Sequence, residues 1–286
     1  MAAYSFSGCP NLQTAVINGE APENLFTDST ALKEATLAVS KTIPNSVFYN
    51  CTGLETVNTP KATRVGVKSF YNCKALKTFD FSKIEIPCVL VSNDASGLPF
   101  DNLSSVSTDD RQAARCAIDS LIAMGHKNFV IVGGDREVSD TSRLRYEGCL
   151  QSFRNHGIEY DEELDYQGVR FSYQDGYNAT QQLIAGGRKF TALFAIADVM
   201  AIGAVRALHN NGLRVPRDVS VMGFDGLMLG SYLIPQLSTV IQSAKQMAQR
   251  GVEILISHIE QGGHACHEAV PYTLHHREST RRIDDD

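Results

Sequence analysis

Apolar residues recur along this chain with two different periods. In the first part phenylalanines fall at Phe6, Phe26, Phe48 and Phe70, spaced by 20, 22 and 22 residues. Three positions after each stands Cys9, Ser29, Cys51 or Cys73, and three further on Leu12, Leu32, Leu54 or Leu76. The frame F-x-x-[CS]-x-x-L is thus filled four times. A period near 20 residues suits a solenoid in which each turn contributes one short strand and shares its core with its neighbours.

Beyond Ile84 the pattern becomes strand, helix, strand, helix. Ile86–Val91 reads as a strand buried on both faces. The run from Ser107 to Asp110 offers helix N-caps, and Ala113, Ala114, Ala117, Ile118, Leu121 and Ile122 form one apolar helix face that stops at Gly125. Strands are expected at Phe129–Val132, Leu193–Ala197, Val219–Phe224, Leu237–Ile241 and Tyr272–His275. Helices are expected over Arg143–His156, Asp175–Ala185, Asp198–Asn211 and Lys245–Gln261. This alternation predicts an α/β fold, a parallel sheet with helices on both faces. The division is a repeat segment over 1–84, an α/β domain over 85–280 and a disordered tail over 281–286. Ligands of such sheets bind beyond the carboxyl ends of strands. That rule selects Ser92, Arg143, Arg145, Phe171, Asp198 and Asp225 as site candidates.

Composition narrows the function. A net charge of -6 gives no basic footprint for nucleic acid. No apolar run approaches membrane-spanning length, and the start MAAYSFSGCPNLQ carries no secretory pattern. With 7 cysteines, an odd number, and no CxxC pair, reduced thiols in a cytoplasmic setting are expected. His264, Cys266, His267, His275 and His276 lack metal-ligand spacing and read as a solvated loop, so no metal and no cofactor are expected. Walker A, GxGxxG and GxSxG motifs are absent, which leaves no positive sign of an enzyme.

Residues 4–83 resemble leucine-rich repeats of the BspA type. Further on, VSTDDRQAARCAIDSLIAMGHKNFVIVGG, SRLRYEGC, DVMAIGAVRALHNNGLRVPRDVSVMGFDG and LSTVIQ occur in order. These motifs resemble the effector-binding core of the LacI/GalR regulators, whose fold is that of type I periplasmic binding proteins. The resemblance implies a non-catalytic sensor for a sugar or nucleobase-like small molecule, and a homodimer. It places the family's anchoring arginine on Arg145 and its hydroxyl-binding acid on Asp225. It also places an aromatic that packs on the ligand's apolar face on Phe171. The competing readings are a helix-surface arginine beside Asp140, a turn-capping aspartate and a core phenylalanine. Two positions depart from the family: Ala197 stands where an asparagine is usual before Asp198, and Ser92 where many members have an aspartate. Asp198 can alternatively serve only as an N-cap. The helix-turn-helix and the early strand–helix units of the first subdomain have no counterpart in this sequence. Direct DNA binding by this chain alone is therefore not expected, and a sheet edge and an apolar helix face are expected to lie open. The alternative is an interaction scaffold, a chimera whose repeats bind a protein partner.

Overall fold

The computed structural model describes residues 2–76, 86–98, 100–137, 139–187 and 189–283. The expected junction near Ile84 lies outside them. The chain forms two compact units. One comprises Met1–Leu90, Ala95–Ser105 and Val252–His267, and the other Val91–Asp94, Val106–Gly251 and Glu268–Asp286.

In the first unit the repeats wind as a solenoid. Strands β1 (Thr14–Ile17), β2 (Glu34–Leu37) and β4 (Thr56–Asn58) form one parallel sheet, and β3 (Thr42–Ile43) and β5 (Arg64–Val65) a second. Register follows the sequence period, with Thr14 opposite Glu34 and Glu34 opposite Thr56. The four phenylalanines stack with ring centroids 5.6–5.7 Å apart. The Cys/Ser position bonds the preceding coil: Cys51 Sγ donates to the Phe26 carbonyl at 3.0 Å, Cys73 Sγ to Phe48 at 3.1 Å, and Ser29 Oγ to Phe6 at 2.6 Å. Serine can therefore replace cysteine in the frame, because the position needs a small donor. Two residues past each later phenylalanine the backbone is left-handed, at Asp28, Asn50 and Asn72 with φ of 59–61°. Asn and Asp tolerate that conformation, and here they also form a ladder, Asn72 to Asn50 and Asn50 to Asp28.

Strands β6 (Cys88–Val91) and β7 (Leu103–Thr108) belong with β13 (His267–Val270) to a three-stranded sheet ordered β13-β7-β6. Every residue of β7 is buried. The amphipathic helix α6 (Ala244–Gln261) leaves Val252, Ile256 and Ile259 exposed, as expected for an open helix face.

The second unit is a six-stranded sheet ordered β14-β12-β11-β10-β8-β9. Its strands are β8 (Phe129–Gly133), β9 (Tyr166–Gly168), β10 (Ala192–Ala195), β11 (Ser220–Asp225), β12 (Ser238–Gln242) and β14 (Tyr272–His275). All pairings are parallel except β12 with β14. Helices α1 (Asp110–Ala123) and α2 (Asp140–His156) pack together, as do α4 (Tyr173–Ala185) and α5 (Asp198–Asn210), and the short α3 (Glu162–Asp165) leads into β9. Every residue of β8 and β10 is buried, which requires cover on both faces. Close approach within each helix pair depends on glycine: a Cβ on Gly148 would collide with the Arg111 carbonyl, and one on Gly203 with the Tyr173 carbonyl. The expected helices hold, with starts shifted a few residues upstream by caps at Ser139 and Ser172.

The start of the tail departs from expectation. Ile283 N–H donates to the Met124 carbonyl at 2.7 Å, and Arg281 N–H to Ser220 Oγ at 3.0 Å. Buried His126 bridges the Arg281 carbonyl and Thr191 Oγ1. Residues 281–283 thus pack on the second unit instead of lying disordered, because a buried imidazole requires partners and the tail supplies one.

Phe48 is fully buried between two stacked rings, so Phe48→Ala should cost about 3–5 kcal/mol in urea unfolding monitored on the repeats. Cys51→Ser, which keeps the donor as Ser29 does, should cost much less.

Candidate functional site

Helix α2 begins at the Ser139 cap and carries arginines two residues apart that face opposite ways. Arg143 is on the surface, paired with Asp140 at 2.8 Å and Glu147 at 2.9 Å. Arg145 is only 2% exposed. Being a helix-surface arginine beside Asp140 therefore describes Arg143, not Arg145.

Three elements converge on Arg145. Its Nε donates to Asp110 Oδ1 at 2.7 Å, in the first turn of α1. Its Nη1 donates to the Ile196 carbonyl just past β10, and to Asp225 Oδ1 at 3.2 Å at the end of β11. The guanidinium carbon lies 3.6 Å from the centroid of the Phe224 ring. Nη2 has no hydrogen-bond partner among the described residues and is not sealed from solvent. A buried guanidinium requires such compensation, and a carboxylate together with an aromatic face supplies it.

Asp225 connects the arginine to the rest of the strand ends. Its side chain is 29% exposed and its Oδ1 also accepts from Gln242 Nε2 at 2.8 Å, at the end of β12. Its backbone is held at φ +116°, a conformation an L-residue rarely adopts. The nearby Asp198 N–H favours the charged form of its carboxylate. Burial pushes the Asp225 and Asp110 carboxyls up, and the Arg145 charge opposes that in both.

Asp198 is fully buried and does not cap its helix: Ala197 occupies the cap with no side-chain bond. Its Oδ1 accepts from Thr239 Oγ1 at 2.7 Å and its Oδ2 from Leu227 N–H at 2.6 Å, which pins the turn after Asp225. Burial raises its pKa to about 6.

Arg145, Asp225 and Asp198 thus come together. Phe171 is 45% exposed, so it is not a core residue, and it lies over Gly134, where an added Cβ would meet its ring at 2.8 Å. Ser92 is half-buried at φ +77°, with its N–H on the Val106 carbonyl. No contact among the described residues joins Arg143, Phe171 or Ser92 to the Arg145 cluster. Sequence reasoning missed Asp110 and Gln242 as members. The signal for Asp110 was an N-cap expectation, but Asp109 takes that role, accepting from Gln112 N–H at 2.9 Å and leaving Asp110 to face inward.

Comparison with known proteins identifies the architecture. A model of the periplasmic binding protein-like domain matches residues 118–280. The chain belongs to this family. Residues 1–86 match the BspA-type leucine-rich repeat region in 6 copies. The HTH-type transcriptional regulator MalR of Clostridium butyricum is 35% identical over 206 residues, 71% of this chain and 60% of that protein. The Escherichia coli regulator AscG is 36% identical over 158 residues, 55% of this chain and 46% of that protein. The chain thus spans only about half of these relatives. A LacI family regulator from Enterococcus faecium, solved with bound ribose, superposes with a TM-score of 0.61 at 26% identity, covering 69% of this chain and 72% of the other. The Escherichia coli repressor ascG superposes at 0.57 with 33% identity, covering 62% and 64%. The relatives are LacI-type transcriptional regulators, not enzymes. Among the described residues no helix is long and apolar enough to cross a membrane, and no group of three or more His, Cys, Asp or Glu could hold a metal ion.

An acid whose folded pKa is raised destabilises the fold as pH rises from its unfolded value, near 3.8, through the folded one. Asp198→Asn removes that ionisation along with an acceptor. The variant should be less stable than the parent at pH 4.5, by roughly 1–3 kcal/mol, with the gap narrowing as pH rises towards about 6 and levelling off above it. Urea titrations across that range measure it.

Proposed function

We propose that residues 85–280 form a non-catalytic sensor of a sugar-like small molecule, of LacI/GalR regulator type and cytoplasmic, fused to the repeats of 1–84. The observation that carries this reading is Arg145: a guanidinium locked by the protein, with one nitrogen left open beside the partly exposed Asp225 carboxylate at the strand ends. A donor next to an acceptor suits a hydroxyl group, which both accepts and donates. The ribose held by one structural relative is chemistry of that kind. Phe171, half-exposed, supplies an apolar face, and Ser92, Arg143 and Asp198 complete the proposed set, Asp198 by holding the loop that follows Asp225.

A thermal-shift screen of pentoses, hexoses, disaccharides and purines tests the reading. Saturation at about 100 times Kd adds about 2.7 kcal/mol, a clear rise in Tm. Asp225→Asn, at a partly exposed position, should lower affinity for the hit at least about tenfold while the variant still melts cooperatively. An unchanged affinity would sink Asp225 as a contact.

The family also implies a pair of like chains. On the second unit Met228, Tyr232 and Ile234 are 75%, 75% and 96% exposed. Ile234 lines a groove of about 330 Å³ along α5, and Leu229, between Met228 and Tyr232 in the chain, lines another of about 390 Å³. Apolar exposure on this scale suits a second copy. Light scattering should show a dimer that Ile234→Glu converts to monomer without lowering Tm.

A second reading has its own support. Tyr49 and Tyr71 stack at 4.8 Å on the solenoid, with Tyr71 and Val67 55% and 71% exposed, a small apolar and aromatic stripe for a protein partner.

A further inference from the structure

An arginine that recognises an anion presents two parallel N–H groups, either the Nε/Nη2 edge or the Nη1/Nη2 edge of its fork. In Arg145 neither edge is open. Nε is taken by Asp110, and both N–H groups of Nη1 are engaged, one by the Ile196 carbonyl and one by Asp225. Only Nη2 remains. A free guanidinium fork can hold a carboxylate or a vicinal diol; here the protein itself fills most of the fork.

The charges point the same way. The Arg145 guanidinium donates to the carboxylates of both Asp110 and Asp225, and Asp198, which accepts from Thr239, adds a further carboxyl near Asp225. The arginine is nearly sealed at 2% exposure, while Asp225 remains accessible. An approaching anion would find Arg145 already paired and an acidic oxygen beside it, with Arg143 paired in turn to Asp140 and Glu147 on the surface, in a setting where screening is weak. A neutral hydroxyl meets one donor, Nη2, and one acceptor, Asp225.

We propose that this site selects an uncharged polyhydroxylated ligand against uronates and sugar phosphates, and that Asp110 sets the selection by occupying Nε and cancelling the arginine's charge. The inference rests on the sensor reading above. Asp110 acts through Arg145 and is a specificity-determining positioning residue, not a ligand contact. Replacing it by asparagine keeps a side chain able to accept from Nε while removing one negative charge.

Isothermal titration of the full chain with matched pairs is the test: ribose against ribose 5-phosphate, glucose against glucuronate, galactose against galacturonate. In the parent the neutral member of the pair that binds should be favoured by about tenfold or more, the scale of one unscreened charge at this distance. In Asp110→Asn the preference should shrink by about tenfold, chiefly through a gain for the anion. An anion that binds the parent as tightly as its neutral partner overturns the inference and leaves the sensor reading standing. No heat from any pair, with a cooperative melt, overturns both. The parent comparison decides the matter even if the variant fails to fold.

Discussion

A guanidinium taken out of water must be paid back in full, and in this protein that single requirement ties the second unit together. Arg145 is 2% exposed and draws on a helix start, two strand ends and an aromatic ring. Each partner constrains its own element. Helix α1 must begin where Asp110 faces inward, so Asp109 does the capping. Helix α2 must lie close to α1, which Gly148 permits. Strand β10 must end at a carbonyl aimed across the sheet, and β11 must turn sharply at Asp225. Loss of any one partner leaves a buried charge uncompensated, and that penalty exceeds what a surface ion pair such as Arg143–Glu147 contributes.

The strain at Asp225 belongs to the same network. A positive φ at an aspartate persists only where its surroundings over-determine it. Here Arg145 and Gln242 hold the side chain, and Asp198 holds the following turn through Leu227. Asp198 in turn is fixed by Thr239 on β12. Two carboxylates are thus kept in place by α2, β12 and the loop after β11, and Asp225 is the more exposed of them.

What could be read from the sequence divides along physical lines. The solenoid was legible nearly coil by coil, because each coil repeats the same local contacts: Phe on Phe, Cys or Ser on a carbonyl, and Asn or Asp in the left-handed turn. The buried strands and amphipathic helices of the α/β unit were legible for the same reason of period. Strand β9 (YQG), helix α3 (EELD) and strand β13 (HEAV) were missed because they are short and polar, with pairing that comes from distant strands and not from local propensity. The site was half legible. Arg145 and Asp225 were selected by their places after strands and given roles by the resemblance, yet their separation of 80 residues hid that they bond each other. Asp110 carried only an N-cap signal, which Asp109 fulfils instead, and Gln242 carried no local mark.

The two units therefore store their specificity differently. In the solenoid, identity at a position matters only through its class: serine substitutes for cysteine at Ser29 because both donate to a carbonyl. Around Arg145 a change of class is a change of chemistry. Asparagine for Asp110 would leave the shape nearly intact and alter the charge that a ligand meets. Ala197, where the resemblance read from the sequence implies an asparagine, shows the same logic from the other side. Its helix stands without a side-chain cap because Asp198 bonds strand and loop instead of its own helix end. The fold tolerates that exchange, and the consequence falls on which polar groups remain at the strand ends to meet a ligand.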